Sequence, residues 1–115
     1  MHSTQTFKDF VFFLMEKGIE VSGSYRNYYN SKIPKGTFIW DFHSNAKSQM
    51  FVVETLLGIS IYGRYDFETH IEYGDDFDDF MYEVLAVFRD NIMMYPSKDF
   101  ACPFWFKLME EYKVI

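Results

Sequence analysis

From Asp66 to Tyr73 the side chains alternate. Phe67, Thr69, Ile71 and Tyr73 fall on one side of an extended chain, and Asp66, Glu68, His70 and Glu72 on the other. Successive strand residues point to opposite faces, so this period of two predicts a strand with one packed face and one wet, acidic face. Gly74 interrupts the pattern. Beyond it, Phe77, Phe80, Met81, Val84, Leu85 and Phe88 recur at the spacing of a helix with one buried stripe. Asp75 or Asp76 is suited to cap that helix, because a carboxylate can accept a bond from an unpaired first-turn amide. Asp78 and Asp79 follow in the first turn, at the positive end of the helix dipole. The outer side is left to Asp75, Asp78, Asp79, Tyr82, Glu83, Ala86 and Arg89.

The same patterns extend in both directions. Met1 to Gln5 reads as a frayed end. Phe7, Phe10, Val11, Leu14 and Met15 predict an N-terminal helix, with Phe12 and Phe13 widening its apolar face. Thr6 followed by Asp9 resembles a capping box, and Lys17 then Gly18 suit the helix end. Strands are expected over Ile19 to Asn30, with Ile19, Val21, Gly23 and Tyr25 on one side, and over Thr37 to His43. Arg26, Asn27, Tyr28 and Tyr29 make the end of the first a tyrosine-rich edge or a contact surface. A loop punctuated by Pro34 and Gly36 separates the two. Gln49 to Leu57 is rich in β-branched residues and reads as a strand, although Met50, Val53, Glu54 and Leu57 also have helical spacing. Gly58 breaks that run, and Ile59 to Tyr65 leads toward the acidic strand, with Gly63 as a bulge or bend. A last helix carries Phe104, Trp105, Leu108, Met109 and Tyr112 on its apolar face, with Pro103 in its first turn and Ser97 or Asp99 as cap.

The order is therefore α–β–β–β–β–α–α. Short links between strands require antiparallel pairing, and helices gathered at the chain's two ends suit packing on one sheet face. The expected fold is one α+β domain over residues 1–115, with about four strands. Its 49% hydrophobic and 22% aromatic content is ample for a core at this length.

Charge sharpens this picture. Asp66 to Asp90 holds nine carboxylates against Arg89 alone, a local net charge of −8, while the whole chain carries −6. The acidity is regional, and the rest of the chain is slightly basic. A solvated face accounts for such a run, and so does an anionic patch that docks on a basic surface. The net charge disfavours direct nucleic-acid binding and attraction to an anionic membrane. MHSTQTFKDF lacks the layout of a secretory signal, and Phe10 to Met15 is too short an apolar run to span a membrane. A lone cysteine, Cys102, fits a reduced, cytoplasmic setting without disulfides.

Catalytic chemistry finds little support. Asp41 and His43 on one strand, with Glu68, His70 and Glu72 on another, offer metal-type ligands without a metal-site spacing. The aspartates at 75, 76, 78 and 79 are expected to be exposed, without the burial that separates the pKa values of an acid/base pair. Cys102, between apolar neighbours, reads as an inert thiol, and no phosphate loop or nucleophile elbow is present.

The leading expectation is a small, non-catalytic binding protein without cofactor. Glu68, Glu72, Asp75, Asp76, Asp78, Asp79, Tyr82 and Glu83 would meet a protein partner with a basic surface, such as a nuclease toxin or a defence enzyme. The chain would then act as an immunity protein or a phage anti-defence inhibitor. One alternative is an acidic chaperone or adaptor, dimeric or not, gripping through Phe12, Phe13, Trp105 and Phe106. Another is a metal-dependent hydrolase using His43, Glu68, His70 and Glu72.

Overall fold

The computed structural model describes residues 4–25, 31–43, 51–63, 67–94 and 103–115. Helix α1 (Gln5–Glu16) precedes strands β1 (Glu20–Tyr25), β2 (Phe38–His43), β3 (Phe51–Glu54), β4 (Gly58–Tyr62) and β5 (Glu68–Glu72). Helices α2 (Phe77–Met94) and α3 (Pro103–Glu111) follow. The five strands form an antiparallel sheet in chain order. The radius of gyration, 13.3 Å, is that of one compact domain of this length. The α+β expectation holds, with a fifth strand.

The additional strand is β4. Gly58 ends nothing; it is β4's first residue, paired with Glu72. Thr55 N–H donates to the Gly58 carbonyl, closing a tight turn over Leu56 and Leu57. A side chain at Gly58 would strike the Ile71 carbonyl oxygen and come within 2.7 Å of the Glu72 Cα. Glycine is needed here so that β5 can approach. Residues 51–54 form a strand, which settles the helix-or-strand ambiguity of that segment. Gly63 donates its N–H to the Phe67 carbonyl and so closes the β4–β5 ladder.

One sheet face packs on the helices. Phe42, Val52, Ile59, Ile61 and Ile71 meet Phe7, Phe10 and Leu14 of α1, the α2 stripe Phe80, Met81, Val84, Leu85 and Phe88, and Trp105, Leu108 and Met109 of α3. The other face is wet only in part. Ile39, Asp41, Phe51, Ser60 and Tyr62 are buried on it, and it is exposed at both margins, at Ser22 and Ser24 of β1 and along β5. Asp41, Phe51, Tyr62 and Glu68 form one cross-strand row. Within that row the environment runs from buried to half-exposed.

Helix ends are set by specific bonds. The cap of α1 is Thr4, not Thr6: its hydroxyl accepts from Phe7 N–H, and its own N–H donates to Glu54 at 2.9 Å. A carboxylate fifty residues away thus does what Asp9 was expected to do. At the other end Gly18, with φ of +89°, and Ile19 N–H to the Leu14 carbonyl complete a Schellman motif. Lys113 (φ +58°) and Val114 repeat it on α3. Met15, expected in the core, is exposed, as is Phe12. Residues 26–30, Asp66, Ser97, Asp99 and Cys102 lie outside the described residues. Among the described residues no helix is long and apolar enough to cross a membrane.

Gly58→Ala should cost about 2 kcal/mol or more, because the obstacle is backbone that cannot move without breaking the ladder. The midpoint of denaturant unfolding should fall accordingly, whereas Ala at Glu72, exposed on the outer face, should leave it nearly unchanged.

Candidate functional site

The acidic segment begins on the outer face of β5, turns the corner at Gly74 (φ +66°) and continues along the outer side of α2. It is a ridge bent around one edge of the domain. Ile71 faces the core, so Glu68, His70 and Glu72 face away from the helices. Phe80, Met81, Val84 and Leu85 face the sheet, so Asp79, Tyr82 and Glu83 project outward.

The eight predicted contact residues divide by what the fold asks of them. Asp76 is the cap of α2: its carboxylate accepts from the N–H groups of Asp78 at 2.8 Å and Asp79 at 3.1 Å. Asp78 is turned toward α3 and accepts the Tyr112 hydroxyl at 3.0 Å. Glu68 is half-buried and 3.8 Å from His70. Glu72, Asp75, Asp79 and Glu83 are exposed, and among the described residues no lysine or arginine pairs with them. Tyr82 stands exposed between Asp79 and Glu83.

Two of the described cations, Arg89 and Lys17, are committed elsewhere. Arg89, expected on the outer side, is half-buried; it pairs with Asp90 and donates to the Val114 carbonyl, tying α2 to the C-terminal turn. Lys17 pairs with Glu111 at 3.2 Å and lies over the Phe13 ring. That pair borders a cleft of about 280 Å³ between α1 and α3, lined by Glu16, Gly18, Phe104, Lys107 and Leu108 as well. Its two lysines and two glutamates leave it without a dominant charge.

The outer sheet face holds a polar group that only cross-strand register reveals. His70 lies opposite Ser60, and the Ser60 hydroxyl and His70 Nδ1 are hydrogen-bonded. Burial, with the Glu68 carboxylate beside it, pushes the Tyr62 phenol above its ordinary range. Serine, histidine and glutamate suggest nucleophilic chemistry in name, but Ser60 is 2% exposed within the ladder, where no substrate carbon can reach its oxygen.

The proposed metal ligands are not brought together. β2 and β5 are separated by β3 and β4, so the β2 backbone that carries Asp41 and His43 stands about 14 Å from β5 at ordinary strand spacing. Among the described residues no three His, Cys, Asp or Glu side chains are grouped closely enough to hold a metal ion. The expected apolar grip is also altered. Trp105 is buried, and Phe13 packs edge-on against Phe77 and Tyr112. Phe106 is half-buried and only Phe12 is displayed.

These features define a small α+β domain whose surplus anions are gathered along one bent edge. Compared with models of known protein families, with curated proteins and with solved structures, the chain matches none of them.

Two predictions follow from the fold's use of its own acids. Asp76→Ala should cost about 1 kcal/mol through loss of the cap, read as a lower unfolding midpoint. Tyr112 is pushed up to about 12 by burial and by the Asp78 carboxylate it bonds. Below pH 10 the phenol is neutral folded or unfolded, so its contribution is complete there. Between pH 10 and about 12 the unfolded chain ionises first, and that contribution is lost as pH rises. Asp78→Asn should move this titration down, seen in tyrosinate absorbance against a Tyr112→Phe control.

Proposed function

We propose that the protein is a small, non-catalytic inhibitor that docks its acidic edge on the basic surface of another protein. Glu72, Asp75, Asp79 and Glu83, exposed and without a cationic partner among the described residues, are the observation that carries this reading. Where the basic surface serves nucleic acid, spaced carboxylates stand in for phosphates and block it. A nuclease toxin or a defence enzyme is such a target, and the chain is then an immunity or anti-defence protein acting in the cytoplasm. Long-range attraction speeds the encounter, and exposed acids lose little solvation before contact. Asp76 and Asp78 belong more to the fold than to the interface.

A second reading rests on Phe12 and Met15, which stand one turn apart on α1, 60% and 51% exposed. An adaptor or chaperone would grip through this apolar face, and its binding would change little with salt.

The deciding experiment recovers partners from extracts of the native host at low and high salt. The triple variant Asp75→Asn, Asp79→Asn and Glu83→Gln takes the net charge from −6 to −3 without changing side-chain size much. It should weaken capture about tenfold or more, and added salt should do the same to the wild type. Capture that survives both changes and disappears with Phe12→Ser would overturn the electrostatic reading in favour of the apolar one.

A further inference from the structure

Hydrogen-bond parity shows what the free edge of β5 displays. Phe67 accepts from Gly63 N–H, and Tyr73 N–H donates to the Leu57 carbonyl. Antiparallel ladders alternate bonded with non-bonded pairs. Phe67, Thr69, Ile71 and Tyr73 therefore spend their amide groups on the β4 side. The crowding of the Ile71 carbonyl against Gly58 agrees with this. Glu68, His70 and Glu72 direct their N–H and C=O groups to the open edge.

Among the described residues nothing occupies that edge. Every hydrogen bond and ion pair of residues 68–72 goes to β4 or stays within β5. β1, at the opposite edge, differs: Ser22 and Ser24 are engaged in further contacts. The residues with free main-chain groups are also those whose side chains face outward. A strand added there would set its own outward side chains opposite two glutamates and a histidine.

We propose that β5 receives an added strand from a protein partner, an extended segment bearing lysine or arginine at alternate positions. This rests on the docking of a basic partner proposed above and names how that partner is held. Main-chain bonds supply affinity and alternate side chains supply selectivity. The edge discriminates against a second copy of this chain. Antiparallel pairing of two β5 strands about His70 would set Glu68 opposite Glu72, and like charges directly opposite are destabilising. Lysine or arginine at those positions reverses the sign.

The probe is a short synthetic peptide alternating lysine with threonine, beside a version N-methylated on the residues whose amides would face β5. The unmethylated peptide should bind at low salt and slow amide exchange at Glu68, His70 and Glu72 about tenfold or more, leaving amides in the body of α2 unchanged. Methylation should weaken binding about tenfold or more, as expected from losing two or so main-chain bonds. His70→Pro, which removes one edge N–H, should weaken it similarly, whereas His70→Ala should not. Salt-sensitive binding indifferent to methylation and to proline would sink strand addition and leave charge docking intact. Edge-dependent binding indifferent to salt would keep strand addition and sink the electrostatic reading. No binding at low salt overturns both, and concentration-dependent dimers protected at these three amides would give the edge to a second copy instead.

Discussion

Phe10 is where the layers meet. Its ring is fully buried, 5.6 Å from Phe42 of β2 and 5.3 Å from Phe80 of α2, both edge-on, and 6.1 Å from Phe7. Trp40 extends the chain of rings through Phe7, and Tyr73 extends it through Phe80. Edge-to-face pairs contribute roughly 0.5–1.5 kcal/mol each beyond the area they bury. Their larger consequence is directional. With Phe42, Val52, Ile61 and Ile71 held inward, the residues between them must face out. A slip of one residue in β5 would bury Glu68, His70 and Glu72 and expose Ile71, at a cost no surface attraction could offset. The acidic edge is a by-product of where the aromatic rings go.

The helical layer is pinned at its margins by bonds that join distant parts of the chain. Thr4 reaches Glu54 on β3, and its hydroxyl also meets Tyr73 beyond β5. Arg89 reaches the Val114 carbonyl at 2.6 Å, and Lys17 reaches Glu111. The exposed Lys17 pair is worth little by itself. The buried partners of the two Schellman motifs matter more, because Ile19 packs with Leu14 and Val114 with Met109 in the same core. Each motif converts a helix end into a core contact.

Much of this was legible wherever one period dominated. β5 and α2 have one apolar side each, and β5 and the start of α2 were readable to within a residue or two, while α2 runs on to Met94, past Asn91 where the pattern was read to stop. Where most side chains are apolar, periodicity says little about direction. Met15 and Phe104 were therefore assigned to apolar faces although both are exposed, and Phe12 and Phe13 could not be told apart, one exposed and the other half-buried. Gly58 misled for another reason: glycine as a strand breaker and glycine as the one residue that permits close approach look alike in sequence. Thr4 and Thr6 are both plausible caps locally, and only Glu54, fixed by sheet register, decides between them. At the site, the exposure of Glu72, Asp75, Asp79 and Glu83 followed from pattern. The commitments of Asp76 to its own helix and of Asp78 to Tyr112 did not, because they depend on rotamer and on α3.

Those commitments bear on how negative the edge is to an approaching partner. Asp76 and Asp78 sit against helix amides and a phenol O–H, so part of their field is spent inside the domain. Glu72, Asp75, Asp79 and Glu83 have no such compensation, and water screens them until something displaces it. A carboxylate already solvated and unpaired can exchange water for a guanidinium without breaking any internal bond. A buried or capped one must first give something up. The fold thus divides nearly adjacent acids into two kinds, and the difference is one of reorganisation energy more than of formal charge. Beside the unpaired ones runs a strand whose outward main-chain groups are equally uncommitted. Binding there requires neither the core nor the caps to change.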